Sequence, residues 1–131
     1  MLLASFSDEQ RHAFMRLAFN VAVSDGLLDP NEEGMLDEFR REMELPEFDE
    51  LEYLELAGIE KVFADRSSRM IVLGNLCKLG YADGAFEIEE ECLLNEIRKV
   101  FGVAETEFAK INDWNKRLWN LEGEWQSLLD T

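Results

Sequence analysis

The chain has 131 residues, of which 47% are hydrophobic, and this is enough to bury the core of one folded domain. Its 29 Asp and Glu residues outnumber its 13 Lys and Arg residues, which leaves a formal net charge of −16. Because a phosphate backbone and an anionic lipid surface must both be met by cations, this charge argues against nucleic acids and membranes as partners. It favours a cation or a basic protein.

The first ten residues lack the basic start and the long apolar run of a secretion signal. Nowhere do eighteen apolar residues follow one another, so we expect a cytoplasmic protein without membrane insertion. The two cysteines, Cys77 and Cys92, show no CxxC spacing and lie among apolar neighbours. Both are therefore predicted to be reduced thiols packed in the core.

The sequence matches itself at an offset of 58 residues, at which Asp25 and Gly26 align with Asp83 and Gly84. The match continues downstream, where the acids, the apolar period and one arginine recur as the pairs Glu32/Glu90, Glu33/Glu91, Leu36/Leu94, Glu38/Glu96 and Arg40/Arg98. This predicts an all-α fold, a compact bundle of two repeated helix-loop-helix units at about residues 7–57 and 65–114. No Gly-, Ser- or Pro-rich linker separates the units, so we expect a single domain over residues 1–131.

The first unit begins with Ser7, which is predicted to cap a helix and to form a capping box with Gln10. Apolar residues then follow the helical period, at Phe14, Leu17, Ala18, Val21 and Ala22. Gly26 is expected to take the left-handed conformation after the helix. A second helix is predicted to begin at Asp29, with Pro30 in its first position and Glu32 completing another capping box.

The second unit repeats this order, with Asp65 as the predicted cap of its first helix and Gly84 in its turn. Glu87 and Ile88 stand where the first unit has Asp29 and Pro30. Each unit is followed by an amphipathic stretch, residues 47–57 and residues 105–114, and both are predicted to be helices of two to three turns.

A C-terminal amphipathic helix is predicted over about residues 112–129. Its apolar residues recur at alternating steps of four and three, which is the spacing of a heptad seam: Trp114, Leu118, Leu121, Trp125 and Leu128. The seam either covers the bundle or forms a partner-binding or dimerising face, for which Trp114, Leu118 and Trp125 are the candidate residues. The sequence leaves the oligomeric state open.

The two acidic turns resemble the helix-loop-helix of calcium sensors, but their spacing does not fit an EF-hand, because Gly26 directly follows the first Asp. A hard divalent cation is still a candidate ligand, with Ca²⁺ or Mg²⁺ favoured over Zn²⁺ because no sulfur or imidazole cluster is present. The candidate metal residues are Asp25, Asp29, Glu32, Asp83, Glu87 and Glu90. The alternative is that these acids only cap helices and interact with helix dipoles.

The sequence offers no catalytic constellation. His12 is the only histidine, no Ser or Cys can be paired with it, and it is expected to lie at the surface. No Gly-rich phosphate loop appears, and nothing marks a dry pocket that would raise the pKa of a carboxyl group. We therefore do not expect an enzyme.

The two turns, residues 21–33 and 79–97, resemble the TerB-like family of tellurite-resistance-associated proteins. Its (A/S)DG-x-h-(D/S)-x-x-E signature is matched by Ser24, Asp25, Gly26, Asp29 and Glu32 in the first unit, and by Ala82, Asp83, Gly84 and Glu90 in the second. The second unit departs from the signature at Glu87 and Ile88. The resemblance implies a helical bundle of paired hairpins, a bacterial cytoplasmic protein associated with stress-response or membrane-associated assemblies, and an acidic surface proposed to bind metal ions. It implies no established reaction.

Two hypotheses about function follow. In the first, the chain is a non-enzymatic module whose paired acidic turns bind a divalent cation or a basic protein partner. In the second, the C-terminal Trp/Leu face carries a protein interaction or a dimer contact, and the acidic turns are structural. Exposure of the tryptophans distinguishes them, because a binding face must be accessible in the monomer.

Overall fold

The computed structural model describes residues 1–47, 52–82 and 87–130. These residues form a short 3-10 turn, Leu3–Ser5, and six α-helices. The helices are α1 (Asp8–Ala22), α2 (Pro30–Glu42), α3 (Ile59–Val62), α4 (Arg66–Gly80), α5 (Ile88–Phe101) and α6 (Glu105–Leu129). The described part of the chain contains no β-strand, which confirms the all-α prediction.

The helix boundaries follow the predicted repeat. Helices α4 and α5 begin at residues 66 and 88, which is 58 residues after the starts of α1 and α2 at residues 8 and 30. The caps explain this agreement, because the side chains of Ser7 and Asp65 each accept from a backbone N–H in the first helical turn. The capping box of Ser7 with Gln10 is also present.

One hydrophobic core lies between the two hairpins. Helix α4 is central, since it packs against α1, α2, α5 and α6. The predicted inner faces are buried in this core, including Phe14 and Leu17 of α1, Phe39 of α2, and Leu73 and Leu76 of α4. Phe14 meets the ring of Phe39 edge-on at 5.3 Å between centroids, which joins the two helices of the first hairpin.

The predicted helix over residues 47–57 is wrong for the part of it that the structure describes, since residues 52–55 have no regular structure. The reason lies in three backbone carbonyls that accept side-chain hydrogen bonds. Arg16 donates to the carbonyls of Glu52 and Tyr53, and Asn20 donates to the carbonyl of Leu54 at 2.9 Å. These contacts hold the segment against α1 in place of a helical turn. Residues 48–51 of the predicted helix lie outside the described residues.

The C-terminal region also differs from the prediction. The two helices expected over residues 105–114 and 112–129 are one continuous helix, α6, because no Gly or Pro interrupts the helical period between them. Gly123 lies within α6, with no atom within 4 Å of the place a Cβ would occupy. A single helix of this length reaches beyond the bundle it packs on.

Candidate functional sites

The first acidic turn is built from hydrogen bonds within the turn itself. Asp25 accepts from the backbone N–H of Leu27 at 3.0 Å, and Ser24 donates to the carbonyl of Val21 at 2.8 Å. Gly26 has a φ of +86°, which confirms its predicted left-handed conformation. Asp29 caps α2 through the N–H of Asn31 at 2.7 Å. Both aspartates therefore have a structural role in positioning α2.

The acids one turn into α2 and α5 are buried. Glu32 is 3% exposed and Glu90 is 1% exposed, although both lie in the first turn of an otherwise acidic, solvent-facing helix start. Since a carboxylate is costly to remove from water, two buried ones at equivalent positions of a repeat mark a specific structural requirement. Both residues are candidates from the sequence, but their burial is not apparent from it.

A capping box formed by Glu87 and Glu90 is present at the start of α5. In α5 the carboxylate of Glu90 accepts from the backbone N–H of Glu87 at 3.2 Å, the reciprocal contact that was predicted for Glu32 in α2. In α2 the corresponding helix start is held by Asp29 and Asn31. Helices α2 and α5 are thus capped differently at their N-termini.

The described candidate metal residues do not form a group of ligands. Among residues 1–47, 52–82 and 87–130, no three His, Cys, Asp or Glu side chains come together in a way that could hold a metal ion. Asp83, the one remaining candidate, lies outside the described residues, as does Gly84. A metal site that involves Asp83 stays a prediction.

The apolar seam of α6 divides into two parts. In the first half of the helix, Trp114 lines a groove of about 340 Å³ against α4, together with Met70, Gly74 and Ile111. Leu118 lines a smaller cavity beside Met35 of α2. Trp114 is nevertheless 46% exposed and Leu118 is half-buried, so this half of the seam covers the bundle only in part.

In the second half the prediction of a covering seam is wrong. Every residue from 119 to 130 is exposed. Leu121 is 59%, Trp125 62% and Leu128 68% exposed, and we call these three residues the distal stripe. They lie on the same face of α6 as Trp114 and Leu118, since the steps of three and four residues keep them in line along the helix. The apolar face of α6 that begins beside the bundle therefore continues into solvent.

Other exposed apolar residues lie beside the distal stripe. Trp119 is 42% and Leu129 59% exposed, and neither was among the predicted site residues. Trp119 falls outside the steps of three and four that define the seam, whereas Leu129 is four residues after Trp125 and lies at the edge of the stripe. They enlarge the apolar surface at the end of α6.

The histidine and the two cysteines also have predicted positions. His12 is exposed, as predicted, with its Nδ1 atom 2.8 Å from the carbonyl oxygen of Asp8. Cys77 is buried in α4, but Cys92 is exposed on α5, so the prediction of two core thiols is wrong for Cys92. Cys92 is next to Leu93 in sequence, but the helical period places it on the outer face of α5.

No helix in the described part of the chain has the length and apolar character needed to cross a membrane. What the geometry defines is an acidic, all-helical module of two related hairpins with a C-terminal helix that extends past them.

The family comparison agrees with this architecture. The family model described as tellurite resistance protein TerB matches the chain twice, over residues 1–53 and 49–113. The chain therefore belongs to the TerB family, which confirms the resemblance, and the tandem matches are those expected of an internal repeat. Searches of curated proteins and of solved structures gave no match. Both family matches end before the distal stripe.

Proposed function

We propose that this chain is a non-enzymatic, cytoplasmic protein-interaction module that binds its partner through the distal stripe of α6. The observation that supports the proposal is the exposure of Leu121, Trp125 and Leu128 on one helical face. Burying each of these side chains would contribute about 1.5–3 kcal/mol, which is not gained while they lie in water. Tryptophan is also enriched among the residues that dominate binding energy at protein interfaces.

The length of the exposed segment supports the same proposal. Residues 119–130 would extend about 18 Å along the helix axis. Isolated helices of about 12–15 residues are marginally stable in water, and Gly123 costs about 1 kcal/mol more. A partner that packs against the distal stripe would stabilise this part of α6.

Site-specific photo-crosslinking in cells of the native host tests the proposal. A photoreactive phenylalanine analogue is placed at positions 121, 125 and 128, one at a time. Matched controls carry it at Asn120 and Ser127, which are exposed on the other side of the helix. We expect discrete adducts from the stripe positions and none from the controls. Absence of adducts at all three stripe positions, or equal adducts at the controls, would overturn the proposal.

A second candidate function is binding of a divalent cation at the paired acidic turns. The burial of Glu32 and Glu90 favours it, because buried carboxylates are frequent where a cation is held. The proposed ligands are Asp25, Asp29, Glu32, Asp83, Glu87 and Glu90. Their all-oxygen chemistry would suit Ca²⁺ or Mg²⁺ better than Zn²⁺.

A thermal melt of chelator-treated protein tests this second function. Ca²⁺, Mg²⁺ and Mn²⁺ at 1 mM are each compared with NaCl of matched ionic strength, since screening alone stabilises so acidic a chain. A site with a dissociation constant near 10 μM should add about 2.7 kcal/mol. Asp25→Asn/Asp83→Asn should abolish the shift, while the exposed pair Glu38→Gln/Glu96→Gln, which removes the same charge, should retain it. Equal melting temperatures in all salts would reject the site.

A further inference from the structure

We infer that the partner of the distal stripe is a basic amphipathic helix of another protein. This inference rests on the proposed function, because it specifies the chemistry of the partner that the stripe would bind. It is carried by the charges beside the stripe, by the helix that packs against the first half of α6, and by the poor fit of a second copy of this chain.

The distal stripe has an acid on each edge, together with Arg117 four residues before Leu121 and the apolar residue Leu129. Glu122 and Glu124 lie on its two flanks, because each is one residue away in sequence from Leu121 or Trp125 and so falls about 80° from the centre of the stripe on the helical wheel. From Leu118 to Asp130 the chain has three acids and no Lys or Arg. A helix that packs on the stripe would therefore have one carboxylate along each of its edges.

Helix α4 provides the internal precedent for such a partner. It packs against the first half of α6, and its Met70 and Gly74 line a groove together with Ile111 and Trp114 of α6. Its residues include Arg66, Arg69 and Lys78 and no acid. Arg66 forms an ion pair with Glu107 across the edge of this contact. The bundle thus already pairs α6 with an apolar helix that carries cations at its edge.

A second copy of this chain fits the stripe less well. Two stripes packed antiparallel would bring Glu122 and Glu124 of both copies to the edges of one interface, where no Lys or Arg of residues 118–130 could offset them. Two chains of net charge −16 also repel each other at long range.

Binding of synthetic helical peptides to the full chain tests the inference. The first peptide, of about 18 residues, has leucines at steps of three and four and lysines on both flanks. A second has the same leucines with glutamates on the flanks, and a third has the composition of the first in an order that destroys the helical period. Dissociation constants are measured by fluorescence anisotropy at about 0.15 M ionic strength.

We expect the basic amphipathic peptide to bind at least about tenfold more tightly than either other peptide, a difference of about 1.4 kcal/mol. Leu121→Asn/Leu128→Asn should abolish its binding without changing the charge of the chain. Glu122→Gln/Glu124→Gln should reduce the preference for the basic over the acidic peptide. The exposed double variant Asn120→Ala/Ser127→Ala should bind like the wild type.

Three results would overturn the inference. They are equal affinity for the basic and acidic peptides, basic-peptide binding that survives Leu121→Asn/Leu128→Asn, and a dimer in sedimentation that these two substitutions dissociate. Each of them leaves the proposed interaction face in place if the photo-crosslinks form at positions 121, 125 and 128. Failure of those crosslinks removes the proposed function itself, so the two failures are distinguishable.

Discussion

Arg11 and Arg69 are equivalent residues of the two hairpins, and each uses its whole guanidinium group to hold its own hairpin closed. Nη1 of Arg11 donates to the carbonyl of Met43 at the end of α2, at 2.7 Å. Nη1 of Arg69 donates to the carbonyl of Phe101 at the end of α5, at 3.1 Å. The remaining nitrogens of both groups donate to carbonyls of the segment that precedes α1 or α4.

Replacing either arginine by alanine should destabilise the fold. Each substitution leaves three backbone carbonyls without a charged donor, and we expect a loss of about 2 kcal/mol or more in the free energy of unfolding measured with urea. Lysine should rescue little, because one ammonium group cannot reach three carbonyls. The control is Arg41→Ala, an exposed residue with one ion pair to Asp37, for which a change within about 0.5 kcal/mol is expected. Equal losses for Arg11 and Arg41 would contradict this account.

Two glycines should respond to alanine in opposite directions. Gly26 has a φ of +86°, so a Cβ introduces strain of about 1 kcal/mol although the surrounding space is open. Gly34 lies exposed inside α2, where alanine should stabilise the helix by about 0.5–1 kcal/mol. Thermal melts of the two variants check the opposite signs. A stabilised Gly26→Ala would show that the turn does not need the left-handed conformation.

The two thiols should differ sharply in reactivity. Burial raises the pKa of Cys77 to about 12, and its sulfur lies 3.6 Å from Oδ1 of Asn112. Because the thiolate is the reactive form, a thiol reagent near pH 8 should modify exposed Cys92 rapidly and Cys77 only after unfolding. Cys92→Ser should remove the fast reaction and Cys77→Ser should leave it. Rapid modification of both residues in the native protein would contradict the burial of Cys77.

The helix cap at Asp65 should give a defined pH dependence. Hydrogen bonding from Ser68, through its side chain first and then its backbone N–H, lowers the pKa of Asp65 below the ordinary value of 3.8. The ionised cap therefore stabilises the folded protein above pH 3.8, and this contribution is lost as the pH falls through the lowered pKa.

Asp65→Asn isolates that contribution, because asparagine can still cap the helix but does not titrate. We expect the wild type to melt at a higher temperature than the variant at neutral pH, with the gap closing as the pH falls below 3.8. Glu38→Gln, which removes an exposed charge from α2, is the control for overall charge. A gap that stays constant from neutral to acid pH would show that the charge of Asp65 adds nothing to the cap.

Local signals account for the parts of the fold that the sequence predicts. The caps at Ser7, Asp29 and Asp65 and the turn at Gly26 act within a few residues, so their positions in the sequence fix the helix starts. The 58-residue repeat then places the second hairpin by analogy with the first. Periodicity likewise identifies the buried faces of α1, α2, α4 and α5.

Tertiary contacts decide the parts that the sequence does not predict. Residues 52–54 have a helical pattern, but Arg16 and Asn20 from α1 bind their carbonyls. The roles of Arg11 and Arg69 depend on the ends of α2 and α5, which reach these arginines only in the folded bundle. The seam of α6 shows which residues share a face, but only the extent of the bundle determines that coverage stops near Leu118. Burial of Glu32 and Glu90 is likewise a property of the assembled helices.

The accessibility of Trp125 tests the central claim most directly. A variant with Trp114→Phe and Trp119→Phe keeps Trp125 as its single tryptophan, and acrylamide quenching is measured at a concentration where sedimentation shows a monomer. The exposed distal stripe predicts red-shifted emission and quenching close to that of a free tryptophan, with Trp125 at 62% exposure. Blue-shifted emission that resists quenching in the monomer would show that the chain covers the stripe itself, and would contradict the proposed interaction face.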